Sequence, residues 1–352
     1  MMNCMKKMLS TLTAAALLAG CSASSSGADD QNAPASGESY TIGVAQLVDH
    51  LSLNTIRDAM FAEFEELGFK DGDNLTIDYQ NAAGQISNLD TIMSTYANEN
   101  VDAIVAIATP TAQAAQNYSD DIPVIFSAVS DPVGAGLVET IEAPGGNITG
   151  TSDEVQVDQI ADLILELTPD AKTVGVLYNA GEANSVSNIK RFKEYAESKG
   201  LKVEEATGTD LTTLQQAASV LAEKVDVMFS PNDNTVAQGM SALAKIAEDA
   251  GVPYYVGADS MVADGGFATV GINYEELGKE TARMTIDILQ GADPATTAVK
   301  VYKDDLNTYI NQSVYDDLKA KAKTKTEIPA DLESSDSLVM VKDASSIGAS
   351  NE

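Results

Sequence analysis

The chain has 352 residues, and its 53 acidic and 21 basic side chains give it a formal net charge of −32 at pH 7. Such a negative field disfavours nucleic acid and anionic lipid as partners, and we interpret the acidity as favouring solubility. The single histidine excludes a multi-histidine zinc site. Both cysteines, Cys4 and Cys21, precede the expected folded part, which excludes disulfides and a cysteine nucleophile there.

The N-terminus predicts a secretion signal. Lys6 and Lys7 precede a short apolar run, Leu12–Ala19, which is well below the ~20 residues that a permanent membrane span needs. Leu17-Leu18-Ala19-Gly20-Cys21 resembles a bacterial lipobox, which implies cleavage before Cys21 and lipidation of that residue. The alternative is an ordinary signal peptide that happens to contain a cysteine. We predict a signal peptide over residues 1–20 and a lipid-anchored flexible linker over 21–39, where bulky apolar residues are lacking.

From Tyr40 onward, strand patterns alternate with helix patterns. Short apolar runs predict strands, and apolar residues at helical spacing predict the helices between them. The first block of predicted elements is strand 41–45, helix 52–67, strand 75–79, helix 89–98, strand 102–108, helix 110–118 and strand 123–128. Gly68 is expected to end the first helix.

A second block of the same kind follows a turn cluster at Pro144-Gly145-Gly146-Asn147. Its predicted elements are helix 156–167, strand 173–178, helix 187–199, strand 202–206, helix 211–221, strand 225–230, helix 236–250, and strands 253–257 and 267–271. A last helix, 274–290, and a last strand, 298–301, are predicted to cross back to the first block.

This order predicts an α/β protein of two doubly wound parallel-sheet lobes with a ligand cleft between them. We expect an N-terminal lobe over 40–150 plus 272–301, a C-terminal lobe over 151–271 plus 302–332, and a weakly ordered tail over 333–352. In such sheets, ligands bind beyond the carboxyl ends of the strands, where helix N-termini converge.

Polar side chains follow the predicted strands at this edge, and they form the candidate ligand-binding set. The set is Gln46, His50, Thr109, Thr111, Ser130, Asp131, Asn184, Ser185, Asp233, Asn234 and Asp259. Thr109 is expected to cap its helix, and with Thr111 it would offer hydroxyls to a carboxylate. Asp233 and Asp259 are the candidates for pairing with a ligand ammonium group. For each residue, a purely structural role in a turn, a cap or the core stays open.

Several motifs resemble one family, the ABC-transporter substrate-binding lipoproteins that include tryptophan- and tyrosine-binding members. The resemblance spans about residues 40–319, and its motifs are Ala106–Gln113, Ser130-Asp131-Pro132, Ala135–Val138, Pro144–Gly150, Asn184-Ser185, Pro231–Asn234 and Asn273–Gly278. It implies a type I periplasmic-binding-protein fold with three crossovers between two lobes that close on the ligand. It also implies an amino acid as solute, aromatic in several members.

Carried over residue by residue, the resemblance implies that Thr109, Thr111 and the backbone after Pro110 take the α-carboxylate. Asp233 or Asp259 would take the ammonium. The polar ring would be completed by Ser130, Asp131, Asn184 and Ser185. The candidates for an apolar slot that holds an aromatic side chain are Phe126, Tyr178, Tyr254 and Tyr255; core packing is the alternative for each.

The sequence therefore predicts an extracytoplasmic solute receptor of an ABC importer. Its expected partners are a small amino acid (tyrosine, tryptophan or phenylalanine), a membrane permease, and the membrane through a lipid anchor; we expect no cofactor, no metal and a monomer. A surface adhesin or sensor on the same fold stays an alternative, as does a sugar or nucleoside ligand. Enzyme activity is disfavoured because the sequence contains neither a P-loop nor a Gly-x-Ser-x-Gly elbow.

Overall fold

The computed structural model describes residues 39–303, 306–342 and 347. The predicted signal peptide, the lipidation site Cys21 and the linker up to residue 38 lie outside this range. No helix in the described ranges is long and apolar enough to cross a bilayer.

The first sheet has six strands, all parallel, in the order β11-β5-β4-β3-β1-β2. Its strands are β1 (Tyr40–Gln46), β2 (Leu75–Asn81), β3 (Ala103–Ile107), β4 (Val124–Ser127), β5 (Ile148–Ser152) and β11 (Lys300–Val301). Its helices are α1 (Leu51–Glu66), α2 (Ile86–Glu99), α3 (Thr109–Gln116) and α10 (Tyr274–Leu289). The central strand β3 is apolar and fully buried along its length, as a parallel strand covered on both faces should be.

The second lobe contains a parallel sheet in the order β7-β6-β8-β9 and a smaller sheet in the order β10-β12-β13. Its strands are β6 (Thr173–Tyr178), β7 (Lys202–Thr207), β8 (Val227–Ser230), β9 (Tyr254–Val256), β10 (Ala268–Gly271), β12 (Asn307–Asn311) and β13 (Leu338–Val341). Its helices are α4 (Val157–Leu167), α5 (Ala183–Ser198), α6 (Leu211–Ala222), α7 (Asn234–Gln238), α8 (Met240–Asp249), α9 (Asp259–Ala263), α11 (Gln312–Lys321) and α12 (Ala330–Glu333).

Helix α10 lies in the sequence after the second block but packs on α1 of the first lobe. The contact is close at Gly278, where an added Cβ would lie 2.4 Å from the carbonyl oxygen of Ile56. Arg283 of α10 also donates from Nε to Glu63 of α1 at 2.8 Å. This packing returns the chain to the elements of the first sheet.

The structure confirms the α/β class with parallel sheets and differs from the sequence prediction in several places. Strand β5 was not predicted, and it carries the first sheet to Ser152, so we propose that the first lobe extends two residues beyond the predicted boundary at 150. The predicted helix 236–250 is two helices that meet at Gly239.

Further differences lie in the second lobe, where α9, β12, α11 and α12 were not predicted. The sheet there is not wholly parallel, because β10 pairs antiparallel with β12. The expected weakly ordered tail is wrong for Leu338–Val341, which forms β13 and pairs with β12.

Candidate ligand-binding site

A cavity lies between the two lobes at the carboxyl ends of their strands. Its polar lining consists of His50, Ser52, Thr109, Ser130, Asp153, Asn184, Asn232, Asn234 and Tyr274. Its apolar lining consists of Leu53, Ala108, Ala128, Ala237, Ala258 and Met261. The mixture of apolar walls with a few polar groups is typical of small-molecule sites.

Helix α3 directs its N-terminus at this cavity. Ala108 is the N-cap residue and Thr109 is the first helical residue, so the prediction that Thr109 caps the helix is wrong. The hydroxyls of Thr109 and Thr111 are buried and have no hydrogen-bond partner among the described residues. The first N–H groups of a helix lack acceptors inside the helix and carry partial positive charge, so this end of the cavity suits an anion.

Two residues at the strand tips, Ala108 and Ala128, have backbone angles that L-residues rarely adopt. Their φ values are +83° and +56°, and both residues line the cavity. Such conformations cost on the order of 1–3 kcal/mol and concentrate at binding sites. These backbone conformations turn the chain sharply after β3 and β4. The turns bring Thr109 and Ser130 to the cavity wall.

Asp153, directly after β5, is the carboxylate that lines this cavity. It accepts hydrogen bonds from Ser130 Oγ at 2.9 Å, Asn232 Nδ2 at 2.6 Å and Tyr274 OH at 3.1 Å. Burial raises the pKa of Asp153 to about 6, and these three donors oppose that shift. Sequence reasoning missed Asp153 because it missed β5; the signal that it ignored is a polar residue that follows Thr151-Ser152.

Glu182, Asn234 and His50 form a chain of hydrogen bonds from the second lobe to the first. The Glu182 carboxylate accepts from Asn234 Nδ2 at 2.6 Å and from the Asn234 backbone N–H at 3.1 Å. Asn234 Oδ1 lies 3.3 Å from His50 Nε2. Burial lowers the pKa of His50 to about 4, against the opposing effects of Asn234 and Asp49.

Asp233 lies behind the cavity wall rather than on it. It is fully buried, and its oxygens accept from Val236 N at 2.9 Å, Asn179 N at 2.7 Å and Ser185 Oγ at 2.7 Å. Burial, together with the nearby charge of Glu182, raises the pKa of Asp233 to about 7. Asp233 and Ser185 thus hold the start of α7 against the end of β6.

Asp259 lies beside a different gap. It borders this gap with Ser260, Ser52 and Tyr274, and it accepts from Ser260 N at 2.7 Å. Burial raises its pKa to about 7. The hydroxyls of Ser52 and Ser260 are hydrogen-bonded to each other, so this contact joins α1 of the first lobe to α9 of the second.

The remaining predicted residues divide between the cavity and its surroundings. Asn184 lines the cavity, and its buried Oδ1 has no partner among the described residues. Gln46 lies inside the first lobe, where it donates to Val48 O at 2.8 Å. Asp131 lies at the rim and accepts from Ser187 Oγ of the second lobe at 2.5 Å.

None of the four aromatic residues proposed for an apolar slot lines the cavity. The hydroxyl of Tyr178 donates a hydrogen bond to Glu205. The hydroxyl of Tyr254 is hydrogen-bonded to Ser230, and that of Tyr255 is hydrogen-bonded to Thr168. Phe126 is fully buried in the core of the first lobe. Tyr274 is the aromatic residue on the cavity wall.

These features together define a two-lobed protein of the periplasmic-binding-protein class, whose lobes meet around a small cavity with a mixed polar and apolar lining. The chain matches the family model described as "ABC transporter substrate binding protein" over residues 41–330, and it belongs to that family. A second model, for the prokaryotic membrane lipoprotein lipid attachment site, matches residues 5–22.

Relatives of known description support the same assignment. A tyrosine-binding protein of Clostridioides difficile (strain R20291) is 37% identical over 321 residues, which cover 90% of this chain and 92% of that protein. A solved ABC domain from Streptococcus pneumonia in complex with L-Trp is 35% identical, with a TM-score of 0.81 and coverage of 86% of this chain and all of that one.

A third relative provides a comparison of conformation. It is the ligand-free, open structure of a substrate binding protein with adhesive properties from Clostridium difficile, 40% identical, covering 86% of this chain and 100% of that one. Its TM-score is 0.64, lower than the 0.81 of the L-Trp complex, although its sequence identity is higher. The present structure therefore resembles the ligand-bound relative more than the open one, in accord with the hydrogen bonds between its lobes.

Proposed function

We propose that this protein captures a small amino acid, aromatic in its side chain, between its two lobes and delivers it to the permease of an ABC importer. The observation that carries the proposal is that Thr109 and Asp153 line the same cavity. An unpartnered hydroxyl at a helix N-terminus suits a carboxylate, and a buried carboxylate suits an ammonium group. A free α-amino acid presents a carboxylate and an ammonium group on the same α-carbon.

The anchoring roles follow from charge. The ligand carboxylate binds at the N-terminus of α3, where Thr109 and Thr111 donate their hydroxyl hydrogens. The ligand ammonium binds Asp153, because a desolvated cation needs a charged partner. This replaces Asp233 and Asp259, since Asp233 has its oxygens occupied by Asn179, Ser185 and Val236 and Asp259 faces another gap.

The apolar walls supply the space for the ligand side chain. Leu53, Ala237 and Met261 line the cavity together with the small residues at the strand tips. Apolar walls of this kind, formed by leucine, alanine and thioether groups, suit an aromatic ring. Relatives described as binding tyrosine or L-Trp support an aromatic solute.

Location and partners complete the proposal. The match to the lipid attachment model over residues 5–22 supports lipidation at Cys21 and an extracytoplasmic position at the cell membrane. The family supports a permease as the partner that receives the ligand. We expect the protein to act as a monomer and without enzyme activity, because binding and release by lobe motion need no chemical step.

Calorimetric titration of the full chain tests this function. The protein is first stripped of carried-over ligand by unfolding and refolding in detergent, and is then titrated with tyrosine, tryptophan, phenylalanine and leucine. We expect a Kd of about 1 µM or tighter for an aromatic amino acid, and a loss of roughly 100-fold in Asp153→Ala. Absence of binding to all four would overturn the aromatic assignment and favour a sugar or a nucleoside as the ligand.

Surface adhesion is a second candidate function, supported by the relative that is described as a substrate binding protein with adhesive properties. Adhesion would use the outer surface of the lobes rather than the cavity. Attachment of beads coated with the purified protein to cultured epithelial cells, measured with and without saturating ligand, tests it. Attachment no greater than that of uncoated beads would contradict adhesion and leave the binding function unaffected.

A further inference from the structure

His50 presents an unusual group to the cavity, an imidazole nitrogen without a partner. Its Nδ1 is buried and has no hydrogen bond among the described residues, while the ring lines the cavity. Its other nitrogen, Nε2, lies 3.3 Å from Asn234 Oδ1 across the lobe interface. The chemical character of Nδ1 depends on which nitrogen holds the proton.

The surroundings of Asn234 determine the position of that proton. Asn234 Nδ2 donates to Glu182 Oε2 at 2.6 Å, so the amide is oriented with its nitrogen toward Glu182 and its oxygen toward His50. Because Oδ1 can only accept, His50 Nε2 carries the proton. Glu182 is held in place because it also accepts from Thr235 Oγ1 at 2.9 Å.

The imidazole is neutral at physiological pH, since burial lowers the pKa of His50 to about 4. The one charged group that opposes this shift is Asp49, whose side chain is exposed and accepts from Asn81 at 3.1 Å. With Nε2 protonated and the ring neutral, Nδ1 has a free lone pair. It is therefore a hydrogen-bond acceptor on a side chain that lines the ligand cavity.

We propose that His50 Nδ1 accepts a hydrogen bond from a donor on the ligand's side chain, a phenol O–H or an indole N–H, and so selects tyrosine and tryptophan against phenylalanine. This inference rests on the proposed function, in which the charged ends of the ligand are assigned elsewhere. The ammonium binds the carboxylate of Asp153 and the ligand carboxylate binds at α3. An uncharged acceptor remains for an uncharged donor.

Closure of the lobes gives this contact its discriminating effect. When water is excluded, a ligand with no side-chain donor leaves Nδ1 desolvated and unpaired, which costs on the order of 1–3 kcal/mol. That cost corresponds to roughly 10-fold to 100-fold in Kd. Phenylalanine lacks only the hydroxyl of tyrosine, so the comparison of these two ligands isolates the contact.

Titration calorimetry of the full, ligand-stripped chain with tyrosine, tryptophan and phenylalanine tests the inference, with wild type, His50→Leu and His50→Gln compared. We expect wild type to bind tyrosine about 10-fold to 100-fold more tightly than phenylalanine. In His50→Leu the preference should fall to about threefold or less. His50→Gln, which keeps a donor for Asn234 and an acceptor for the ligand, should retain part of the preference. Asp49→Asn, which changes only the exposed neighbour, should keep the wild-type ratio.

The ratio of the tyrosine and phenylalanine affinities separates selectivity from folding and from lobe closure. Loss of the contact between His50 and Asn234 should weaken the binding of all three ligands alike and leave this ratio unchanged. An equal loss for tyrosine and phenylalanine in His50→Leu would overturn the proposal and place His50 in closure alone. Equal binding of both by wild type would overturn it as well. Failure of wild type to bind any of the three would instead contradict the proposed function.

Discussion

Asn232, in the loop after β8 of the second lobe, donates a hydrogen bond of 2.8 Å from Nδ2 to Oγ of Ser130 in the first lobe. The same Nδ2 lies 2.6 Å from Asp153 Oδ2, at the crossing between the lobes. A single amide thus joins the two lobes at the cavity wall and contacts the carboxylate proposed to bind the ligand. Lobe closure and the electrostatics of the site are coupled through this residue.

Asn232→Ala should weaken ligand binding about 10-fold without unfolding the protein. The substitution removes two hydrogen bonds that exist only when the lobes meet, so the closed state becomes less populated in the free protein. Ligand binding must then supply more of the free energy of closure, which weakens the measured affinity. Calorimetry measures the affinity, and small-angle scattering with saturating ligand measures the fraction closed. Asn98→Ala, at an exposed position in α2, is the matched control. Unchanged affinity in Asn232→Ala would show that these bonds do not stabilise closure.

Thr109→Val should weaken binding without lowering stability, whereas Thr281→Val should lower stability without weakening binding. Thr109 has a buried hydroxyl with no partner among the described residues, so its loss removes a ligand contact and should weaken binding about 10-fold at unchanged or higher Tm. Thr281 Oγ1 lies 2.8 Å from Ser127 Oγ and 2.9 Å from Thr151 Oγ1 inside the first lobe. Its loss should lower the free energy of unfolding by about 1–2 kcal/mol and leave the affinity unchanged.

Thermal unfolding and calorimetry on the same two variants distinguish these roles. If Thr109→Val binds ligand as wild type does, the hydroxyl is not a ligand contact and the carboxylate must bind elsewhere. If Thr281→Val weakens binding as much as Thr109→Val, the effect on the site passes through the core rather than through a direct contact.

Asp153 should make ligand affinity fall as the pH is lowered. Its pKa is raised to about 6 in the free protein, so it is ionised at pH 7 and largely protonated at pH 5. A protonated carboxyl no longer pairs with the ligand ammonium, so Kd should rise roughly 10-fold between pH 7 and pH 5. Calorimetry at both pH values gives the ratio.

Asp153→Asn should bind weakly at both pH values and show a much flatter pH dependence. Asp90→Asn, at an exposed position in α2, should retain the wild-type pH profile. A persistent 10-fold change in Asp153→Asn would assign the pH dependence to another group, with Asp259 the next candidate, since its pKa is raised to about 7.

The sequence predicted most strands from their apolar residues and missed β5, β12 and β13. The bounds of Thr173–Tyr178 were predicted to the residue, because Val174, Val176, Leu177 and Tyr178 form a short apolar run bounded by turn residues. Strand β5 reads Ile148-Thr149-Gly150-Thr151-Ser152, and only one of its residues is bulky and apolar. Its burial comes from α10, which returns to the first lobe from more than 120 residues away along the chain.

The site could be located from the sequence, but not the exact role of each residue. The rule that ligands meet strand carboxyl ends led to Thr109, Asn184 and Asn234, and the structure places all three on the cavity. The same rule led to Asp233, whose oxygens face inward because Asn179 and Ser185 approach them from other parts of the fold. Tertiary contacts of this kind leave no local pattern in the sequence.

Ala108→Gly should raise the stability of the free protein by about 1 kcal/mol. Ala108 has φ +83° and ψ 154°, a conformation open to glycine but strained for alanine. Relief of about 1–3 kcal/mol of strain outweighs the 0.5–1 kcal/mol that glycine loses through the entropy of the unfolded chain. Thermal unfolding without ligand measures the change. Ala217→Gly, in helix α6, is the control and should lower stability by about 0.5–1 kcal/mol.

The effect of Ala108→Gly on binding shows what the strain does. Strain at this residue holds the N-terminus of α3 toward the cavity, so a glycine that relaxes should allow Thr109 to turn away. We therefore expect weaker binding together with the higher Tm, as in other trade-offs between stability and function. A loss of stability in Ala108→Gly equal to that in Ala217→Gly would show that the backbone at Ala108 stores no strain.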